Sequence, residues 1–115
     1  MTVPQLIPSA PRPVSLSLNL RTLQLGGPQG WIDVTDTECL LLKALAAAID
    51  QRVDTPRMLE HAGKRADALA KRALEVQLVR LRKKLALAGA PAPTIKSIRG
   101  QGYQLCVPLE IRHFS

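Results

Sequence analysis

Leucines recur in the second half of the chain at a spacing that predicts one amphipathic helix, over residues 70–88. Four of them fall on one face at 3.6 residues per turn: Leu74, Leu78, Leu81 and Leu85. The opposite face of the same helical wheel carries positive charge and a valine: Arg72, Val76, Arg80 and Lys83. A buried leucine face with a basic outer face fits two interpretations. One is a DNA-recognition helix that enters the major groove, and the other is a solvated surface helix.

The residues before this helix alternate in a way that predicts short strands. Apolar and polar residues alternate over 15–20 and resume out of phase after 21–22, which indicates two strands joined by a turn or bulge. The glycines and proline of 26–30 predict a second turn, and 31–34 then predicts a third strand. The expected product is a small antiparallel sheet.

Two further helices are predicted from their start signals. Thr35 and Glu38 have the spacing of a capping box, and the helix that they begin is expected to run to Ile49, the last residue of its apolar inner stripe. Thr55–Pro56 predicts a second start, with threonine as the cap and proline as the first helical residue, for a short helix over 56–62.

A hairpin is predicted after the basic helix. Gly89 can end that helix, and residues 94–107 alternate as two strands around the turn Gly100–Gly102. The hairpin carries Lys96 and Arg99. The predicted fold class is therefore α+β, a winged helix-turn-helix with an N-terminal antiparallel sheet, three helices and a C-terminal β-hairpin wing.

Charge is distributed unevenly over the 115 residues, whose formal net charge is +7. Residues 1–56 carry four basic and five acidic residues, whereas 57–115 carry twelve basic and four acidic ones, a net +8. This concentration indicates a polyanionic partner for the second half. Four prolines make residues 1–13 a predicted linker, which leaves 14–110 as one domain and 111–115 as a C-terminal tail.

Several function classes find little support in the sequence. No apolar run is long enough to span a membrane, and a cytoplasmic protein is expected. Cys39 and Cys106 lack metal-ligand spacing and are interpreted as small hydrophobic residues, while His61 and His113 have no ligand or catalytic partner nearby in sequence. We therefore expect no enzyme activity, no catalytic residue, no metal and no cofactor.

The chain resembles the C-terminal DNA-binding domain of OmpR/PhoB-type response regulators of bacterial two-component systems. The resemblance rests on three segments, 35–45, 74–85 and 95–103, and the pair RLRKKL and IRGQGY at this separation is its most specific part. It implies a non-enzymatic domain of a transcription regulator that binds double-stranded DNA, with helix 70–88 in the major groove and wing 94–107 at the minor groove.

The resemblance also implies roles for individual residues. It places Val76 and Arg80 at base edges and Arg99 in the minor groove. It implies contacts to the sugar-phosphate backbone for Arg72, Arg82, Ser97 and Tyr103. Lys83 is added to these backbone contacts because it faces outward on the helical wheel. The chemistry of an amide side chain adds Gln77 as a residue that can pair with adenine.

Two departures from the family pattern bear on these expectations. Val79 stands where many members have a polar or basic residue, and Gly63-Lys64 stand where many have Trp-Gly in a loop that can touch RNA polymerase. RNA polymerase therefore stays open as a partner. The expected assembly is a monomer in solution that pairs head to tail on direct-repeat DNA. Two alternatives remain, a winged-helix module that binds an acidic protein and a domain that binds nucleic acid without sequence preference.

Overall fold

Strands at both ends of the described chain enclose three α-helices in the computed structural model, which describes residues 15–63 and 67–112. In chain order the elements are β1 (Leu16–Asn19), β2 (Gln24–Gly27), β3 (Gly30–Asp33), α1 (Asp36–Ala47), a 3-10 turn (Ile49–Gln51), β4 (Arg52–Asp54), α2 (Thr55–His61), α3 (Ala68–Ala88), β5 (Ile95–Ile98), β6 (Gly102–Leu105) and β7 (Leu109–Arg112).

The first sheet has the strand order β3-β2-β1-β7. Its three N-terminal strands pair antiparallel, as predicted, with turns at 20–23 and 28–29. The fourth strand is a correction to the sequence analysis. Ile111 and Arg112 do not belong to a tail, because β7 pairs parallel with β1 and sets Ile111 opposite Leu18. The predicted linker 1–13 and residues 113–115 lie outside the described residues.

Helix α1 begins as predicted and ends early. The Thr35 side chain accepts from the Glu38 backbone N–H at 3.1 Å, and Glu38 Oε1 accepts from the Thr35 N–H at 2.8 Å, which confirms the capping box. The helix stops at Ala47, and Ile49 is 88% exposed instead of lying on the inner stripe. The chain leaves the helical path at Ala48, whose backbone is extended with φ of −80° and ψ of 154°, and Asp50 then adopts the left-handed conformation with φ of +58°.

Helix α2 starts one residue earlier than predicted. Its N-cap is Asp54, whose side chain accepts from the Arg57 N–H at 2.9 Å, so Thr55 is the first helical residue and not the cap. Asp54 also ends β4, a three-residue strand that the sequence analysis missed. Only Val53 is buried in β4, and its partners in β6 lie some fifty residues away, so the local pattern carries little signal.

Helix α3 packs its leucine face into the core, against α2 and the first sheet. The four predicted leucines have no exposed surface, which confirms the inner face. The helix ends where Gly89 adopts the left-handed conformation with φ of +105°, as predicted. The core is aliphatic, and its largest fully buried side chains come from β1, β2 and all three helices: Leu16, Leu18, Leu25, Leu41, Leu42, Leu45, Met58, Leu59, Leu74, Leu78, Leu81 and Leu85.

The second sheet, with the order β4-β6-β5, forms the predicted wing. The wing is short, and its tip is the turn closed by the Gln101 N–H donating to the Ile98 carbonyl at 2.9 Å. Gly100 adopts φ of +72° in this turn. A Cβ at Gly102 would run into the Val53 carbonyl oxygen, so glycine lets β6 approach β4 closely. Sheet, three helices and wing together form the predicted winged helix.

Candidate nucleic-acid interface

The outer face of α3 is solvent-exposed along most of its length. Arg72, Val76, Arg80 and Lys83 are all exposed, so the structure brings these four predicted contact residues to one surface. The first and last are eleven residues apart, or about 16 Å along the helix axis at ~1.5 Å per residue. Because the opposite face is filled by leucine, packing fixes which side of α3 faces outward.

The wing is joined to α3 through Arg82. Its Nε donates to the Ile95 carbonyl at 2.8 Å, and its Nη2 donates to the Ser97 hydroxyl at 3.2 Å. Arg82 is half-buried, and these two contacts hold β5 against the helix. In the structure Arg82 therefore positions the wing, and its predicted phosphate contact stays a prediction. Ser97 is exposed, and its hydroxyl oxygen accepts the hydrogen bond from this arginine.

The wing tip is held from a second side by α2. The Thr55 backbone N–H donates to the Gln101 carbonyl at 3.0 Å. Together with the β4·β6 pairing, this contact fixes the turn that presents Arg99, which is exposed. The sequence analysis did not find Thr55 as a wing contact, because the two residues are far apart in the chain.

A cleft of about 510 Å³ separates the wing from α3 and the start of α2. Its lining includes three predicted contact residues, Ser97, Arg99 and Tyr103, together with Lys71 and Glu75 of α3. Lys71 was missed by the sequence analysis. The sequence did contain a signal for a position at this cleft. Lys71 lies one turn before Glu75, on the same side of the leucine stripe as Arg82.

Tyr103 is 8% exposed and lies at this cleft. Burial raises the pKa of its hydroxyl above the ordinary value, the Glu75 carboxylate raises it further, and Arg82 partly offsets both. The phenol therefore keeps its proton at neutral pH and remains a hydrogen-bond donor. A donor in a cleft that also holds Lys71 and Arg99 is suited to an anionic oxygen.

Gln77 differs from the outward-facing residues of α3. It is half-buried, and its Oε1 is buried with no hydrogen-bond partner within the structure. Pairing with adenine uses both the oxygen and the nitrogen of the amide. The position of Gln77 at the flank of the helix therefore does not support the predicted base contact.

The flank of α3 that lies across the leucine stripe from Arg82 is joined to the start of α1. Lys84 Nζ lies 2.7 Å from Glu38 Oε1, the carboxylate of the capping box, whose side chain is only 5% exposed. Burial alone would raise the pKa of Glu38, but hydrogen bonds from Lys84 and from the Thr35 N–H outweigh it and lower the pKa below 4.5. This pair orients α3 relative to α1, and it engages one of the four basic residues at positions 80 and 82–84.

Residues for other chemistry are sparse in the described ranges. Among residues 15–63 and 67–112, no three His, Cys, Asp or Glu side chains come close enough to hold a metal ion. Cys39 is buried, as suits a small hydrophobic residue, whereas Cys106 is exposed and lies beyond the end of β6 and not in the predicted strand. None of the described helices is long and apolar enough to cross a membrane.

Comparison with known families settles the class of protein. Residues 29–105 match the family described as "Transcriptional regulatory protein, C terminal", and this range runs from the second turn of the first sheet to the end of the wing. The chain belongs to this family. The family contains the OmpR/PhoB-type domains, which confirms the resemblance found from the sequence. It is a family of DNA-binding transcription regulators and not a class of enzymes.

Two solved structures show the same fold as this family member. The first is the structure of a lantibiotic response regulator, the C-terminal domain of the nisin resistance regulator NsrR. It is 28% identical, with a TM-score of 0.62 over 78% of this chain and 89% of that one. The second is described as belonging to a novel family of redox sensors in the streptococci that evolved from two-component response regulators. It is 24% identical, with a TM-score of 0.63 over 90% of this chain and 43% of that one. No curated protein sequence matched.

Membership in the transcriptional regulatory protein family assigns double-stranded DNA as the partner of this domain. The exposed basic face of α3 and the wing are the described surfaces that suit this partner.

Proposed function

We propose that the domain binds specific double-stranded DNA sites, with α3 in the major groove and the wing tip at the adjacent minor groove. The observation that carries this proposal is the pairing of two faces on one helix. Its leucine face is fully buried, and its outer face exposes Arg72, Val76 and Arg80. A helix of this diameter fits the major groove, where base edges are distinguishable.

The exposed side chains suit different parts of the duplex. The planar guanidinium of Arg80 can donate two hydrogen bonds to O6 and N7 of one guanine, and Val76 can pack on a thymine methyl group. Arg72 and Lys83 are exposed on the same face, where they can neutralise phosphates. These contacts would give base readout at the centre of the helix and electrostatic attachment on either side.

The wing residues suit the DNA backbone and the minor groove. Tyr103 and Ser97 lie at the cleft beside α3, where a phosphate oxygen could accept hydrogen bonds from their hydroxyl groups. Arg99 stands at a turn that is fixed from both sides, so its side chain is presented by a rigid support. An arginine held in this way can enter a narrow minor groove, whose negative potential is strongest in A·T-rich sequence.

We propose that the domain is a monomer that occupies direct repeats as a head-to-tail pair. Repeat centres about one helical turn apart would bring both copies of α3 to the same side of the duplex. As a DNA-binding regulator it would act in the cytoplasm with the chromosome. RNA polymerase contact at the loop after α2 has little support, because Gly63 stands where many family members have the tryptophan of that loop.

Selection of bound sequences from a pool of random duplexes tests the function directly. Sequence-specific binding predicts an enriched site that is bound on the order of 10³-fold or more tightly than bulk DNA. Five or six neutralised phosphates predict that log affinity falls with log salt at a slope of roughly −5. Binding without an enriched site would show that the domain binds DNA without sequence preference. A slope near zero, with little binding at physiological salt, would favour a protein-interaction module.

Variants of Arg80 and Arg99 test which groove of the duplex each arginine contacts. Arg80→Ala should relax base preference inside the enriched site, whereas Arg99→Ala should flatten the preference for A·T pairs beside it. Each loss is expected to be about 1–3 kcal/mol of binding free energy. Arg21→Ala, which removes an exposed arginine from the turn between β1 and β2, is the matched control. If Arg99→Ala weakens every flanking sequence equally, Arg99 contacts only phosphate.

A further inference from the structure

Two valines lie side by side on the exposed surface of α3. Val76 is 47% exposed and Val79 is 49% exposed, and they are one helical turn apart. Valine is a poor choice for a solvated helix surface, because its branched side chain loses rotamer freedom in a helix and leaves apolar area in water. The pair therefore has no explanation in the stability of the isolated domain.

The surroundings of the pair identify the kind of surface that it fits. Arg72 precedes it by one turn, Arg80 is adjacent, and Lys83 follows one turn later; all three are exposed. An apolar protein partner would have to leave these cations unpaired at the edge of the contact. A DNA major groove supplies phosphates at both walls and, on its floor, one apolar group, the C5 methyl of thymine.

The spacing of the valines fits neighbouring base pairs. Three residues advance about 4.5 Å along a helix axis, and consecutive base pairs are ~3.4 Å apart along each strand. We propose that Val79 is a specificity-determining residue that acts with Val76, so that the two side chains contact methyl groups on adjacent thymines. This inference rests on the proposed function and adds to it the chemistry of the site, a thymine pair within the segment that α3 covers.

Replacing thymine by uracil in the enriched duplex tests the inference, because only the methyl group is lost. Burial of one methyl-sized group corresponds to ~0.8 kcal/mol, or about a four-fold change in affinity. We expect each of the two uracil substitutions to weaken wild-type binding by about four-fold. In Val79→Ala, one of the two substitutions should lose its effect, because the methyl group no longer has a partner. Binding of both proteins to both duplexes forms a thermodynamic cycle that isolates this contact.

Leu87→Ala is the matched control variant. Leu87 is 63% exposed on α3, eight residues beyond Val79 and about 12 Å further along the helix, and its removal should leave the effect of both uracil substitutions unchanged. Thermal unfolding of each variant checks that the variant is folded.

Three results would overturn the assignment while leaving sequence-specific binding intact. They are an enriched site with no adjacent thymines, equal affinity for the thymine and uracil duplexes, and a Val79→Ala variant that keeps the full sensitivity to both substitutions. Failure to enrich any site would instead contradict the proposed function itself. An acidic protein that competes with DNA only when Val76 and Val79 are present would identify the pair as a protein contact.

Discussion

Removal of the Lys84 ammonium should destabilise the domain in a way that depends on pH. Lys84→Met keeps most of the side-chain volume but leaves the buried Glu38 carboxylate with only the Thr35 N–H as a donor. Breaking a buried ion pair costs ~3–5 kcal/mol, and Lys84 is 28% exposed, so water can replace part of the interaction. We expect a loss of about 2 kcal/mol at pH 7, or roughly 10 °C in Tm.

The sign of the pH dependence follows from the lowered pKa of Glu38. The ion pair contributes stability above the ordinary carboxyl pKa of 4.5, and this contribution is lost as the pH falls through the lower pKa of the folded state. The difference in unfolding free energy between wild type and Lys84→Met should therefore be largest near neutral pH and shrink on acidification. Urea unfolding followed by circular dichroism at pH 7, 5 and 3.5 measures this difference.

Two controls make the test decisive. Lys43→Met removes an exposed lysine from α1 and should change stability by less than ~0.5 kcal/mol. When Lys84→Met is made in a Glu38→Gln background and compared with Glu38→Gln alone, the pH-dependent part of the loss should disappear, because no carboxylate remains at position 38. If Lys43→Met and Lys84→Met are equally destabilised, or if the loss at Lys84 is the same at pH 3.5 as at pH 7, the pair does not stabilise the fold as argued.

Three further substitutions test the wing and its supports. Gly102→Ala should lower the unfolding free energy by about 1–3 kcal/mol, measured by urea unfolding, because its Cβ would meet the rigid backbone of Val53. Arg82→Met should weaken DNA binding through a loosened wing while the salt slope stays unchanged; a slope reduced by about 1 would instead show a direct phosphate contact. Gln51→Ala removes the donor to the carbonyls of Leu105 and Val107, at 2.8 and 3.1 Å, and should cost about 1–3 kcal/mol in the same unfolding assay.

Local signals in the sequence predicted those parts of the fold that depend on neighbouring residues. The capping box of α1, the buried leucine face of α3 and the left-handed glycine after it each require contacts within a few residues, and each is confirmed. The outer face of α3 followed from the same periodicity, since a helix with a fully buried leucine face must expose the opposite one. Arg72 and Arg80 were found in this way.

The features that were missed depend on residues distant in sequence. Strand β4 holds three residues and is defined by its pairing with β6, and β7 is defined by its pairing with β1. Arg82 lies at the edge of the helical wheel, where periodicity does not distinguish a phosphate contact from a contact with the wing. Ile49 continued an apolar stripe that the backbone does not follow, because the chain becomes extended at Ala48, one residue before it.

The parallel pairing of β1 with β7 also constrains the order in which the domain can assemble. Leu18 and Ile111 are partners across the sheet although more than ninety residues separate them. During synthesis from the N-terminus, β1 can pair with β2 once both strands have emerged from the ribosome, but β7, which covers its other edge, is made only after the wing. Closing so long a loop is entropically costly and slows folding. We therefore expect the first sheet to be completed last, so that one edge of β1 stays unpaired until α3 and the wing are in place.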